Sequence, residues 1–176
     1  SDVVFLFLGS GPVKERLMAD VIERGLHNVR FLPRTTLDDA AVHMAAADAL
    51  LVSLGDHPVY RKFIPSKLFD SMASGRPVLL SVDGEARSVL ESAKAGIYYQ
   101  AEDAEGLMKG ILELKGDPDA AAEMGRNGRS FAVAHCSREE QARIMTRFIE
   151  RIVMTGKEHI HVRTERSRRP AEFHEG

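Results

Sequence analysis

The chain has little that would tie it together covalently or hold it in lipid. Cys136 is its only cysteine. That excludes an internal disulfide and any cysteine-based zinc cluster, and it fits a reducing, cytoplasmic setting. No apolar run approaches the roughly 20 residues that a membrane-spanning helix needs. Charge of one sign is also missing: the formal net charge is −2 over 176 residues. This argues against a broad nucleic-acid surface but leaves room for a local anion site. No internal repeat, no His/Asp/Glu spacing suited to a metal and no Ser/His/Asp grouping can be assigned. A signal peptide is not read either. The chain opens on Ser1-Asp2 and a strand-like run without an initiating methionine, so it reads as part of a longer polypeptide. What remains is an ordinary globular balance, 44% hydrophobic and 28% charged. It is enough for one good core and too short for two large domains.

Five short apolar runs punctuate the first hundred residues: "VVFLFL" (3–8), "NVRFL" (28–32), "DALLVS" (48–53), "PVLLSV" (77–82) and "GIYYQ" (96–100). The first, third and fourth are continuously apolar, the pattern of parallel strands covered on both faces. Helical stretches alternate with them. Residues 12–25 run from Pro12 to Gly25, 37–46 are alanine-rich, 65–74 run from Pro65 to Gly75, and 84–94 stop at Gly96. Alternation of this kind predicts an α/β fold: a doubly wound, mostly parallel Rossmann-like sheet with helices on both faces. Right-handed crossovers then place the strand C-termini on one edge, where ligands bind. Helices follow at 103–115, 117–134 and 138–153. The last carries an apolar stripe of Ala142, Met145, Phe148, Ile149, Ile152 and Val153, with Ser137 and Glu140 as a capping box. The expected division is one domain over residues 1–156 and a polar, disordered tail over 157–176.

The segment "GDHPVYRKFIPSKLFD" (55–70) is the richest in chemistry. Pro65 opens a helix at a position whose N–H would be unpaired in any case. The amides of Ser66 and Lys67 then point out of the helix end. With the Ser66 hydroxyl, the Lys67 ammonium and the positive end of the helix dipole, they add up to an anion site. Arg61 and Lys62 on the preceding loop can close over it, and Ile64 lies between. Asp70, one turn further in, suits the two hydroxyls of a ribose. The rival reading is a solvated face with a Lys67–Asp70 pair, worth about 0.2–0.5 kcal/mol. That does not explain why Arg61 and Lys62 crowd the same helix end.

Three further segments carry less on their own. "LGSGP" (8–12) lets backbone pass close to a ligand at Gly9 and Gly11, although a tight strand-to-helix turn explains it as well. It lacks the third glycine and the acidic residue of a dinucleotide fingerprint. Leu32, Pro33 and Arg34 end the second strand either as an ordinary loop or as a pocket for a base. Gly84-Glu85 is either a helix cap or a sugar-hydroxyl acceptor. His57 is the one histidine beside the candidate site and reads as a surface loop residue. His159, His161 and His174 fall in the tail and receive no role.

Together these segments resemble the C-terminal, donor-binding half of the retaining GT-B glycosyltransferases of family 4, over roughly residues 3 to 153. "FLFLGSGP" is similar to the family's apolar strand ending in G-x-G-P, and "NVRFLPR" to its N-V-x-F-x-G segment, with Pro33 in place of glycine. "PVYRKFIPSKLFDSMASGRPVLLSVDGEA" is similar to its P-S-K-x-F-E-x-M-A-x-G-x-P-V motif, a form common in enzymes of O-antigen and capsule synthesis.

The resemblance implies metal-independent transfer of a sugar from a nucleotide diphosphate sugar, UDP-linked, to a glycan or lipid-linked acceptor. Lys67 and Arg61 stabilise the leaving diphosphate. Gly9, Gly11, Leu32, Pro33, Arg34, Lys62, Ile64, Pro65, Ser66 and Asp70 contact the donor or face the acceptor side. No cofactor and no metal are implied. Of two family glutamates eight positions apart, the second corresponds to Asp70 and the first to Lys62, a departure from the pattern. The resemblance further implies a missing first strand, glycine-rich loop and helix, a missing N-terminal acceptor lobe, and a chain nearly inactive alone. The cytoplasmic face of a membrane is the implied location, reached through the parent enzyme. Two rivals stand beside it: an enzyme of the same architecture releasing UDP from UDP-GlcNAc by epimerisation, and a receiver-like or nucleotide-sensing α/β module with an anion site and no chemistry.

Overall fold

The computed structural model describes residues 2–166. Two compact units divide the chain, Ser1–Arg129 and Ser130–Gly176. In the first unit β1 (Phe5–Leu8), α1 (Lys14–Glu23), β2 (Val29–Leu32), α2 (Leu37–Ala46) and β3 (Leu50–Val52) alternate. A short 3-10 helix (Pro58–Lys62) then precedes α3 (Ser66–Ala73), β4 (Val78–Leu80), α4 (Glu85–Ala93), β5 (Gly96–Tyr98) and α5 (Ala104–Gly116). The unit boundary falls within α6 (Pro118–Cys136), and α7 (Arg138–Arg166) follows.

All strand pairs are parallel, as the apolar runs predict. They form two sheets rather than one: β1 pairs β2 from Phe5↔Val29 to Leu8↔Leu32, and β3-β4-β5 form the other. No backbone ladder joins β1 to β3. The two sheets also differ in cover. β4 is the central strand of its sheet, and Val78, Leu79 and Leu80 are all buried. Leu68 and Met72 of α3 and Leu90 of α4 are fully buried in the same unit, each side chain contributing about 1.5–3 kcal/mol. Leu79, Tyr99 and Leu114 form a second cluster with Ile97, Leu107 and Met124 around it. By contrast, none of residues 2–51 is buried. Phe7 stacks on Phe31 across the β1–β2 pair, ring centroids 5.2 Å apart.

Local chemistry sets the helix ends. The Asp39 amide donates to Thr36 Oγ1 at the start of α2, and the Thr35 and Thr36 hydroxyls both donate to the Asp39 carboxylate. Asp103 accepts from the Gly106 amide to start α5. The stop of α4 differs from expectation. Lys94 takes the left-handed conformation (φ 49°), while Gly96 lies against the Val78 carbonyl, where a Cβ would collide. That glycine is spent on strand approach rather than on ending the helix.

In the second unit the Glu140 amide donates to Ser137 Oγ, the expected cap of α7. The Glu140 carboxylate pairs with Arg147 at 3.2 Å and Arg143 at 3.6 Å instead of returning to the cap. Met145, Phe148, Ile149, Ile152 and Val153 of the predicted stripe are exposed. The helix continues to Arg166, ten residues into the segment expected to be a tail. That stretch holds Glu, Lys and Arg, good helix formers, and no proline. The remainder of the tail, 167–176, and its His174 lie outside the described residues. No helix of the described residues is long and apolar enough to cross a membrane.

Candidate donor-binding site

The strand C-termini of the first unit open onto three loops that carry the candidate residues. Pro65 is the N-cap of α3 with extended backbone (ψ 131°), one position earlier than the sequence places it, and Ser66 is the first helical residue. The Pro65 carbonyl accepts from the Leu68 amide at 2.9 Å. The Ser66 and Lys67 amides precede the first intrahelical bond, and no side chain caps them. Ser66, Lys67 and Asp70 are exposed. Among the described residues no ion pair forms between Lys67 and Asp70. The helix end therefore presents two amides, a hydroxyl and an ammonium, with a carboxylate one turn along. The opposite face of the same helix buries Leu68, Ser71 and Met72 and so fixes its position.

Arg61 is turned elsewhere. Its guanidinium is 3.7 Å from Asp56, and it lines a cavity of about 270 Å³ at the ends of β3, β4 and β5. Ser66, Lys67 and Asp70 do not line that cavity. Its walls include Tyr60, Asp83, Arg87 and Tyr98. Arg87 sits 4.2 Å from the Tyr98 ring centroid and bonds Glu91 at 2.7 Å. Burial, followed by the nearby Asp83 charge, pushes the Tyr98 phenol above its ordinary value, and Arg87 partly opposes this. Lys62 and Ile64 follow Arg61, Lys62 exposed and Ile64 half-buried.

Gly84 ties this loop to the sheet. It has φ 77°, and a Cβ built on it would run into the Arg61 carbonyl. The turn after β4 therefore supports the backbone of the Arg61–Lys62 segment, and Gly84 is an approach glycine as well as the N-cap of α4. Ser81 adds a second tie. Buried at the end of β4, it meets Ser53 Oγ at 3.0 Å and accepts from the Leu54 amide at 3.3 Å. His57 has a structural part: its Nδ1 accepts from the Val59 amide and caps the 3-10 helix.

At the other sheet Gly9 has φ 128° and Gly11 has open space around it. Lys14, unremarked in the sequence, holds this corner together. Its Nζ donates to the Gly9 and Leu32 carbonyls, each at 2.7 Å, and so ties the ends of β1 and β2. The signal was available: a lysine at the first position of a helix, where the dipole disfavours a cation, needs acceptors of its own. Pro33 and Arg34 beyond Leu32 are exposed. Among the described residues no three His, Cys, Asp or Glu side chains converge in a metal-binding group.

Residues 1–131 match the family described as "Glycosyl transferases group 1", so the chain belongs to that family of glycosyltransferases. No curated protein matches it. Among solved structures, sucrose-phosphate synthase from Thermosynechococcus elongatus is similar at 24% identity and TM-score 0.68, over 85% of this chain and 38% of that one. Anabaena HepE, solved with UDP-glucose, is similar at 19% identity and TM-score 0.68, over 82% and 41%. WaaG, a glycosyltransferase of lipopolysaccharide biosynthesis, is similar at 25% identity and TM-score 0.59, over 76% and 34%. The fold is that of GT-B glycosyltransferases, and the chain spans about two fifths of the length of such structures.

Proposed function

We propose that this chain is the donor-binding half of a retaining, metal-independent glycosyltransferase that takes a hexosyl or N-acetylhexosaminyl group from a UDP-sugar. The observation that carries the reading is the start of α3: two amides without a side-chain cap beside an exposed Ser66 and a Lys67 that makes no ion pair among the described residues. HepE, of the same fold, is solved with UDP-glucose, which supports UDP as the carrier. The P-S-K motif and the likeness to WaaG support a lipid-linked or glycan acceptor of the O-antigen or capsule kind, met at the cytoplasmic face of a membrane.

The mechanism is electrostatic. As the glycosidic bond breaks, the leaving diphosphate gains charge. Helix amides and the Lys67 ammonium stabilise that charge more in the transition state than in the ground state. Asp70 holds the ribose hydroxyls. Arg61 serves this site after leaving Asp56, an exposed pair worth at most about 1 kcal/mol. Gly9, Gly11 and the Leu32–Arg34 segment form the opposite wall. Retention requires the acceptor to attack on the face the leaving group departs from, and that face is completed by the acceptor lobe.

Calorimetric titration of UDP, GDP and dTDP against the chain and Lys67→Ala tests the reading. UDP binding on the order of millimolar Kd is expected, weakened roughly three- to tenfold in the variant, a change of about 0.6–1.4 kcal/mol. Equal affinity of the two proteins for UDP, or none in a folded chain, would remove the basis for the site.

A further inference from the structure

We propose that the cavity at the ends of β3, β4 and β5 is a subsite for one uncharged sugar ring, separate from the helix end assigned to the nucleotide. Size is the first reason. At about 270 Å³ the cavity falls just under the roughly 300–1,000 Å³ of pockets that hold drug-sized ligands. That suits a single pyranose and is too small for a whole nucleotide sugar. Ser66, Lys67 and Asp70, the groups assigned to diphosphate and ribose, lie outside its walls.

Charge decides the class of ligand. Two arginines and two aspartates line the cavity as opposed pairs, Arg61 with Asp56 and Arg87 with Asp83, each 3.7 Å apart. An anion entering here meets the two carboxylates, and a cation meets the two guanidinium groups. A neutral ligand meets neither penalty. Both gaps are also longer than a hydrogen bond. Among the described residues no hydrogen bond reaches either aspartate carboxylate. A hydroxyl seated in such a gap donates to the carboxylate and accepts from the guanidinium. The two pairs can therefore take two hydroxyls of one ring.

The walls are in place without a ligand. Ser81 and Val82, buried at the end of β4, belong to the lining. Tyr60 and Tyr98 add aromatic surface for the C–H groups of a ring. Tyr60 is held between His57 and Phe63, ring centroids 5.8 and 5.7 Å away. Arg87 is held by Glu91 at 2.7 Å and lies 4.2 Å from the centre of the Tyr98 ring. The approach of Gly84 to the Arg61 carbonyl fixes the loop bearing Arg61 against the turn bearing Asp83. Groups held in this way lose little freedom when a ligand arrives, which is what lets a small polar molecule bind at all.

The test is a sugar titration without nucleotide, so it can fail while the donor site stands, and the reverse. The amide resonances of the 15N-labelled chain are followed by NMR as D-glucose, D-galactose or N-acetylglucosamine is added, and then a disaccharide of each. At least one neutral sugar is expected to shift the Asp56, Asp83 and Tyr98 amides with a Kd on the order of millimolar, leaving those of Ser66 and Lys67 in place. Asp56→Ala, on an exposed loop, and Asp83→Ala are each expected to weaken this binding at least threefold, and Lys67→Ala to leave it unchanged. Tighter binding of the disaccharide assigns the subsite to a unit of a glycan, and equal binding assigns it to a free monosaccharide; either supports the proposal. Failure of every neutral sugar to shift these amides would overturn it. So would binding that requires UDP on the same molecule, which would make the cavity part of the donor site. Preference for glucose 6-phosphate over glucose, or shifts unchanged in both aspartate variants, would overturn it as well.

Discussion

Lys14 and Gly84 each hold in place a loop that carries candidate site residues. Lys14 places one ammonium between two carbonyls, and charged hydrogen bonds of this kind contribute about 1.5–3 kcal/mol each before exposure is discounted. Lys14→Met keeps the stem and removes the donors. It is expected to lower stability by about 1–2 kcal/mol in urea unfolding and to loosen the Gly9 and Leu32 amides in exchange measurements. Gly84 combines a positive φ with a backbone neighbour that cannot withdraw cheaply. Gly84→Ala is expected to cost about 1–3 kcal/mol and to shift the NMR resonances of Arg61 and Lys62. Retained stability with unmoved Arg61 signals would show that the Arg61 backbone does not depend on this approach.

Among the elements, strands and helices were largely legible because continuous apolar runs and Pro/Gly punctuation mark them without ambiguity. Their contacts were less so. The 3-10 helix at Pro58–Lys62 is too short to carry a periodicity, and its cap, His57, looks like any loop histidine in the sequence. The Lys67 helix end was legible, because Pro65 fixes where the helix begins. The direction Arg61 takes, toward Asp56 rather than α3, follows from rotamer and loop packing that no spacing encodes. At α2 the chemistry is clear enough to titrate. Hydrogen bonds from Thr35, then Thr36, hold the Asp39 carboxyl below its usual 3.8. A folded pKa below the unfolded one means stability that is present above about pH 4 and lost as the pH falls through the folded value. Thr36→Ala is expected to cost about 1 kcal/mol at neutral pH. Asp39→Asn should flatten the acid limb of the stability profile, measured by chemical denaturation across pH.

For the whole first unit, one sheet was expected and two were found. The runs foretold the parallel pairing but not the discontinuity, because a sequence shows which strands are apolar and not which neighbours are present to cover them. Burial divides the unit accordingly: β4, α3 and α4 hold the enclosed side chains, and residues 2–51 hold none. Native-state hydrogen exchange should resolve this as two steps, with amides of residues 5–46 opening well below the free energy at which β4 opens. A single opening energy across both sheets would show that they unfold as one.

That asymmetry also bears on synthesis. Residues 2–51, none of which is buried, leave the ribosome before the buried side chains of α3, β4 and α4. Their apolar strands wait on the order of seconds while the residues through β5 are made. During that interval the side chains that form the enclosed core around β4 are not yet made. A nascent chain stalled near residue 50 should be a better chaperone client than one stalled past residue 100. Truncation experiments that read trigger-type chaperone binding against chain length would see the affinity fall as β4 emerges.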